Sequence, residues 1–460
     1  MTICYQGLKE KTEATAVVVL IPKSHPLIIL AQKINWEELA DIVAPDLQKT
    51  KKGFCNTGRK LYLRNHLGAY LLQKLFDKKD RNTEWETSDN AAYMLFCGYG
   101  LLENWHSLDH TSISNFRNRL TPETHRKIAN FMAKLGVCLG YGDPSELDQD
   151  STIQEANASY PSDVSLMTKA AEKMVKITRW LKEKSKIFPG QIYELELKKI
   201  KKKAREYFFS KKGKDIKKLI FKDLYELIES NLSASAAQLK SLNREIVKEM
   251  PWNIKADYKL IKNGFSKYMK SVLSFINTGK IDPKKILSWN LSNISCFNKG
   301  KSGNRLEFGR CFQLGRIGGN FALVGQCTDI RMEDKKSIAS IISVAEELFG
   351  RGSVKSFGAD KGYYSKANLR YIQGMAGLEE HALQRPGISF DGCLFKEEKE
   401  TYQRLVDRRS SVEGMIGHIK QGGQLRKSRM KSDEGTLSAG YAAVAGYNLR
   451  CLVRHIKREL

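Results

Sequence analysis

The sequence lacks the cysteine pattern of a disulfide-rich or zinc-binding protein and any apolar run long enough for a membrane. Its nine cysteines are scattered, and no two form a C-x2-C pair. This argues against zinc ribbons and disulfide scaffolds and favours a reducing compartment. The apolar stretch at 14–22 is too short to span a bilayer and lacks the cleavage site of a signal peptide. We therefore expect a cytoplasmic protein without a membrane partner.

Acidic residues are scarce relative to basic ones. Lys and Arg number 77 against 51 Asp and Glu, which gives a formal net charge of +26. An imbalance of this size is the electrostatic footprint of a protein that binds a polyanion. A membrane-surface protein would usually add a basic amphipathic anchor with large apolar residues. Composition alone leaves a ribosomal or other RNA-binding protein open.

A basic helical region occupies the middle of the chain. Residues 169–295 hold 30 Lys and Arg against 13 Asp and Glu, and their apolar residues recur at helical spacing. The densest part predicts DNA-backbone contacts from Lys201, Lys202, Lys203 and Arg205. The alternative is a solvated, lysine-rich helical spacer. We favour the DNA-binding interpretation, because solubility does not require so lopsided a charge.

A short helix is predicted over 109–120, with Asp109, Thr111 or Ser112 as its cap. Arg117 and Arg119 are expected to face outward, as in the second helix of a helix-turn-helix. A solvated helix in a bundle fits the same pattern equally well.

Two aspartates stand where strands are predicted to end. Asp150 is followed by Ser-Thr, which suggests a strand that delivers a carboxylate at a sharp bend, with Asp148 and Glu155 as nearby competitors. A lone Asp in a turn is usually a turn residue. Asp360 ends the strand predicted at 353–360, in a glycine-containing turn. The carboxyl ends of strands are where α/β folds place ligand chemistry.

A third carboxylate lies between two cations on a predicted helix. Arg409, Glu413 and Lys420 are four and then seven residues apart, so both cations fall within about 40° of Glu413 around the helix. A metal-dependent phosphoryl-transfer site could use this arrangement, with the acid for the metal and the bases for phosphates. An ordinary exposed helix with ion pairs four residues apart looks the same.

These motifs together resemble the bacterial insertion-sequence transposases that carry a DDE triad on a ribonuclease-H-like fold. The chain is similar to the superfamily whose glutamate helix carries Y-x2-R-x3-E-x6-K, since Arg409, Glu413 and Lys420 fit the R, E and K spacing. Val406 occupies the tyrosine position, with Tyr402 one helical turn earlier. Asp360 matches the second carboxylate. Asp150-Ser-Thr resembles the block that carries the first aspartate.

The resemblance implies an α/β architecture. It consists of a ribonuclease-H-like catalytic domain, with a mixed five-stranded sheet flanked by helices, preceded by a helical N-terminal domain for DNA binding or dimerisation. The middle of the chain is not covered and is interpreted as a helical insertion. The expected boundaries are 1–140 for the N-terminal domain, 141–165 for the first part of the catalytic domain, 166–295 for the insertion and 296–460 for the remainder.

The resemblance also implies an activity. Asp150, Asp360 and Glu413 would hold two Mg²⁺ or Mn²⁺ ions, while Arg409 and Lys420 would hold DNA phosphates. The enzyme would bind the ends of an insertion sequence as a homodimer on double-stranded DNA, cleave strands and join them to a target, in a bacterial cytoplasm near the nucleoid. The alternatives are a nuclease of the same fold that cuts without joining, and a catalytically inactive DNA-binding derivative.

Overall fold

A computed structural model describes residues 2–6, 16–47, 62–99, 108–183, 195–211, 213–298, 306–327, 333–387 and 396–460. The chain divides into two compact units. One is formed by residues 1–157 and 298–460, and the other by residues 158–297. Across the described ranges, no helix combines the length and the apolar character that a membrane span requires.

The elements alternate between helical stretches and a mixed sheet. In chain order the strands are β1 (Thr2–Gln6), β2 (Ala16–Leu20), β3 (Asp143–Glu155), β4 (Ser295–Asn298), β5 (Leu306–Gly318), β6 (Phe321–Val324), β7 (Ser356–Ala359) and β8 (Glu380–His381). The α-helices are α1 (Pro26–Lys33), α2 (Trp36–Leu47), α3 (Leu63–Leu75), α4 (Asp80–Asp89), α5 (Ala91–Phe96), α6 (His110–Arg119), α7 (Pro122–Cys138), α8 (Asp163–Glu183), α9 (Leu197–Phe209), α10 (Lys214–Ser241), α11 (Arg244–Glu249), α12 (Trp252–Thr278), α13 (Ile338–Phe349), α14 (Lys366–Gln373), α15 (Lys396–Gln421) and α16 (Asp433–Glu459). Short 3-10 turns occupy Asp334–Lys336 and Lys361–Tyr363.

The N-terminal part of the chain is helical after the β1–β2 hairpin, as the sequence predicts. The helix expected over 109–120 is α6, and Asp109 caps it by accepting hydrogen bonds from the N–H groups of Thr111 and Ser112 at 2.8 and 2.9 Å. Thr121 caps α7 in the same way, and Pro122 occupies the first turn, where a missing N–H costs nothing. The chemistry of the Asp109 cap is local, which is why the sequence predicts it.

The central sheet runs in the order β4–β5–β3–β7–β8, and β6 also pairs with β5. β3 and β6 are both antiparallel to β5, whereas β3, β7 and β8 run parallel to one another. Among the described residues the sheet has six strands rather than the five expected, because it includes the short strands β4 and β6. β5 is one long strand, since no turn interrupts its pairing with β3 from Gly309 to Gly318.

Helices cover both faces of this sheet. On one face, Phe312 of β5 packs edge-to-face against Tyr441 of α16, with ring centroids 5.4 Å apart. The same face receives α15, which packs along β3 and β7. On the other face, α13 covers β3, β5 and β6. The helix α13 ends before Gly350, whose positive φ of 93° favours glycine.

The outer edge of β6 is capped by two asparagine side chains. Asn448 of α16 accepts a hydrogen bond from the N–H of Ala322 at 2.9 Å and donates to its carbonyl at 2.8 Å. Asn130 of α7 makes the same pair of bonds with Val324, at 2.9 and 3.1 Å. Each amide therefore takes the place of a neighbouring strand and satisfies an edge that would otherwise be unpaired.

The unit at 158–297 is helical and has a hydrophobic core of its own, formed mainly by α8, α10 and α12. Trp289 donates from its indole nitrogen to the carbonyl of Leu166 at 2.8 Å, and its ring lies edge-on to Tyr268. Asp257 pairs with Lys173 and Lys176 at 2.5 and 2.9 Å. These contacts connect distant helices within the unit.

Candidate active site

The parallel pairing of β3 with β7 brings two of the predicted carboxylates to neighbouring positions. The last paired residues of the two strands are Gln149 and Ala359, and Asp150 and Asp360 each follow by one residue. Asp150 is half-buried and Asp360 is exposed. Because adjacent strands lie about 4.8 Å apart, the two carboxylates share one edge of the β3–β7 pair.

Asp150 differs from the expectation in its backbone setting. It lies inside β3, which continues to Glu155, and not at a sharp bend, because the antiparallel pairing with β5 carries the strand past it. Its Oδ1 accepts a hydrogen bond from the N–H of Ser151 at 2.7 Å. Asp360 accepts in the same manner from the N–H of Lys361 at 2.6 Å. Both carboxylates are therefore oriented by the residue that follows them.

Asp150 belongs to a cluster of like charges. Burial raises its pKa, the Ser151 N–H and Arg409 oppose this rise, and the negative charges of Asp334 and Asp360 add to it. Asp334, in the 3-10 turn after β6, was missed by the sequence reasoning, since nothing about its local pattern marks it. Gln313 of β5 donates to its Oδ1 at 3.3 Å.

The helix α15 carries the predicted cations and the third carboxylate. Arg409 is half-buried beside Gly358 of β7 and lowers the pKa of Asp150. Glu413 is exposed one turn further on, and Lys420 is half-buried. Glu413 and Arg409 are separated by four residues, so their side chains leave the helix on nearly the same side.

Tyr402 also lies close to this cluster. It is half-buried on α15, and burial raises its pKa, while Arg409 lowers it and Asp360 raises it. It thus occupies the electrostatic neighbourhood of the site from a position two turns before Arg409. The sequence pattern places a tyrosine only one turn before the arginine, at the position of Val406.

Asp148, the competitor of Asp150, is fully buried and already paired. Arg408 donates to it from Nε and Nη2 at 3.0 and 2.8 Å, and Arg316 donates from Nη1 at 3.0 Å. Burial raises the pKa of Asp148, and the hydrogen bonds from Arg408 act in the opposite direction. Both oxygens are occupied by guanidinium groups, so Asp148 has little capacity left for another cation.

The three predicted acids do not form a ready-made metal centre. Among the described side chains, no three His, Cys, Asp or Glu residues are gathered into a group that could hold a metal ion. The chemistry of the donors nevertheless suits Mg²⁺, which prefers carboxylate oxygens. The mutual repulsion around Asp150 is what a bound cation would relieve.

The predicted DNA-contacting residues fall into two groups. Lys201 pairs with Glu172 at 2.6 Å, and Lys203 pairs with Asp223 at 2.9 Å. By contrast, Lys202 and Arg205 are exposed on α9, and neither makes an ion pair with another residue that the structure describes. The cationic groups of Lys202 and Arg205 are therefore available to a binding partner.

The two predicted arginines of α6 also differ, in that one is exposed and the other is paired within the protein. Arg119 is exposed, as expected. Arg117 turns inward, contrary to the expected orientation, because its guanidinium pairs with Asp80 and donates to Gln73 at 3.1 Å. Only 18% of its side chain is exposed.

The geometry defines a class of site: carboxylates carried by neighbouring strands with an arginine of a helix beside them, an arrangement suited to cations and phosphates. A comparison with protein-family models finds a match at residues 17–119, 103 of the 460 residues, to a family described as a transposase domain (DUF772). The match supports a transposase at the coarse level, and with it DNA as a partner. Comparisons with curated proteins and with solved structures find no match.

Proposed function

We propose that this chain is a DDE transposase with a ribonuclease-H-like catalytic domain, which cleaves and joins DNA at the ends of a mobile element. The observation that carries the proposal is the placement of Asp150 and Asp360 on neighbouring parallel strands, with Arg409 of α15 beside them. The strand pairing supports the fold assignment, because β6, β5 and β3 pair in antiparallel fashion and β7 and β8 continue the sheet parallel to β3. The transposase-domain match at 17–119 is independent of these residues.

The carboxylates would act as metal ligands. We assign this role to Asp150, Asp360 and Glu413, since the saturated hydrogen bonding of Asp148 favours Asp150 as the first acid. When bound, two Mg²⁺ or Mn²⁺ ions would activate the attacking hydroxyl and stabilise the leaving oxygen of an in-line displacement. The protein's own contribution is to hold these side chains on rigid strands and a helix, which limits their reorganisation during the reaction.

The basic residues would bind and orient the DNA. Arg409 has the fork of donors that matches a phosphate, and its position beside Asp150 would place that phosphate close to the reacting bond. We assign a similar role to Lys420. On α9, the exposed residues Lys202, Arg205 and Phe209 follow one another at helical spacing, and 81% of Phe209 is exposed. This stripe would follow the DNA backbone.

The decisive experiment replaces Glu413 by Gln. The substitution keeps the size of the side chain and removes its charge, so we expect cleavage to be lost while DNA binding is retained. The substrate is duplex DNA that spans the flanks of the gene encoding the chain, incubated with MgCl₂. Glu400→Gln, an exposed glutamate on the same helix, is the matched control. Normal cleavage by the Glu413→Gln protein would contradict the proposal.

A joining assay separates transposition from the two alternatives. Pre-cleaved flanking DNA is mixed with plasmid DNA and MgCl₂, and the products are sized. Products longer than the substrate support a transposase. Shortened products indicate a nuclease that does not join, and unchanged DNA indicates an inactive DNA-binding derivative. Binding stoichiometry on the same duplex tests the expected homodimer.

A further inference from the structure

The buried pair Asp148–Arg408 is unexplained by the proposed chemistry. Asp148 is 0% exposed, and 12% of the Arg408 side chain is exposed. We propose that this pair is a positioning device that fixes α15 against β3 so that Glu413 stands level with Asp150. The inference rests on the proposed function, because it assigns those two residues to one site.

The guanidinium of Arg408 joins three elements. On β3, its Nε and Nη2 donate to Asp148 Oδ1 at 3.1 and 2.8 Å, and Nε also reaches Oδ2 at 3.0 Å. On β7, its Nη1 donates to the hydroxyl of Ser356. β3 and β7 carry the proposed metal ligands Asp150 and Asp360, and Arg408 is on the helix that carries the third. One planar group therefore contacts every element of the proposed site.

The sequence leaves room for this arrangement at Gly358. This residue pairs with Asp148 in the parallel register, and a Cβ added to it would collide with the Oδ1 of Asp148. The glycine lets the carboxylate lie against β7 and meet Arg408. Arg316 of β5 donates to the second oxygen at 3.0 Å, and this bond holds the carboxylate from the opposite side.

The register of helix and strand follows from the pair. Glu413 lies five residues beyond Arg408, an axial advance of about 7.5 Å on a helix. Asp150 lies two residues beyond Asp148, an advance of about 6.6 Å on a strand. The strand β3 and the helix α15 run in the same direction, because Gln154 of β3 donates a hydrogen bond to the carbonyl of Gln424, which follows α15, at 2.9 Å. Glu413 is thus at the level of Asp150.

The experiment compares four variants with the wild-type protein. Asp148→Asn and Arg408→Lys each weaken the pair. The double variant Asp148→Asn/Arg408→Gln removes one charge of each sign and leaves Arg316 with Glu146, 3.8 Å away, as its remaining carboxylate. Gly358→Ala keeps every charge but displaces the carboxylate. The matched control is Arg404→Gln on the same helix. Arg404 also pairs with a carboxylate, but its side chain is 57% exposed.

The measurements are the melting temperature, the dissociation constant for the flanking duplex, and the cleavage rate at saturating duplex and MgCl₂. We expect the pair variants and Gly358→Ala to lose about 100-fold in cleavage rate, the cost typical of a misplacement of about 1 Å. Their dissociation constants should stay within about threefold of the wild type. The double variant should recover the melting temperature without recovering cleavage, because balanced charge restores stability and not register.

Two results would overturn the inference. One is a double variant that regains cleavage together with its melting temperature, which would make the pair merely stabilising. The other is normal cleavage by Arg408→Lys or Gly358→Ala. If the single charge variants do not fold, the double variant and Gly358→Ala carry the test. Glu413→Gln, assayed in parallel, separates the proposed function from the positioning role. Normal cleavage by the Glu413→Gln protein contradicts the proposed function. If that protein is inactive while the pair variants cleave normally, only the positioning role is contradicted.

Discussion

The asparagine caps on β6 lead to a prediction with a magnitude. Asn448 is fully buried and satisfies both backbone groups of Ala322. Replacing it with Leu keeps a similar volume but leaves that N–H and that carbonyl without partners. Each unsatisfied buried group costs about 1–3 kcal/mol, so the free energy of unfolding should fall by about 2–6 kcal/mol. Because β6 pairs with β5, and β5 pairs with β3, the loss reaches the strand of Asp150.

Two measurements check this prediction. Urea unfolding, extrapolated linearly to water, gives the change in free energy. Hydrogen exchange at the Ala322 amide reports on β6 separately from the helical unit, which matters because a chain with two compact units need not unfold in one step. The amide of Ala322 should exchange faster in the Asn448→Leu protein.

The control for this experiment is Asn115→Leu, a substitution of the same chemistry at an exposed position on α6. It should change the free energy of unfolding by no more than about 0.5 kcal/mol. Asn130→Leu should mirror the effect of Asn448→Leu at Val324, since the two caps are built alike. A protected Ala322 amide and an unchanged urea midpoint in the Asn448→Leu protein would refute the idea that the amides replace a missing strand.

Two further predictions concern DNA binding and pH. Replacing both Lys202 and Arg205 by Gln should make the plot of log affinity against log salt concentration less steep. The magnitude of its slope should fall by about two, since each phosphate contact contributes about 0.9. Replacing Lys201 and Lys203, which are paired internally, should change this salt dependence less. Equal slopes for the two double variants would contradict the role of the exposed stripe in DNA binding. Burial lowers the pKa of His125 from 6.5 to about 3. Its contribution to stability is present above pH 6.5 and is lost as the pH falls towards 3, by about 1.4 kcal/mol per unit. His125→Gln should flatten the curve of unfolding free energy over that range, and an unchanged curve would exclude this residue as the cause.

Local signals explain what the sequence predicted correctly. Asp109 as a cap and Asp360 directly after β7 both depend on residues within one or two turns of each other. Hydrophobic periodicity predicted the helices of the N-terminal part and of the basic region for the same reason. These features required no knowledge of distant contacts.

The pairing of charges could not be predicted in this way. Asp148 and Asp150 lie on the same face of β3, because strand side chains alternate, so the pattern cannot distinguish them. The distinction comes from Arg316 and Arg408, which are far away in sequence. Arg117 shows the same limitation, since Asp80 turns it inward from a different helix. Asp334 reaches Asp150 only through the folded sheet.

The neighbours Arg408 and Arg409 show what burial adds to a sequence pattern. In the sequence they are one basic dipeptide, but they point about 100° apart on α15. Arg408 and Arg316 meet two carboxylates, those of Asp148 and Glu146, so this group of four has no net formal charge. Arg409 faces Asp150 and lowers its pKa, whereas Asp334 and Asp360 raise it. The carboxylates of Asp150, Asp334 and Asp360 would repel a DNA phosphate that approaches them, and bound cations would relieve this repulsion. In the proposed function, metal binding and the approach of the scissile phosphate are therefore coupled by the charge of the fold itself.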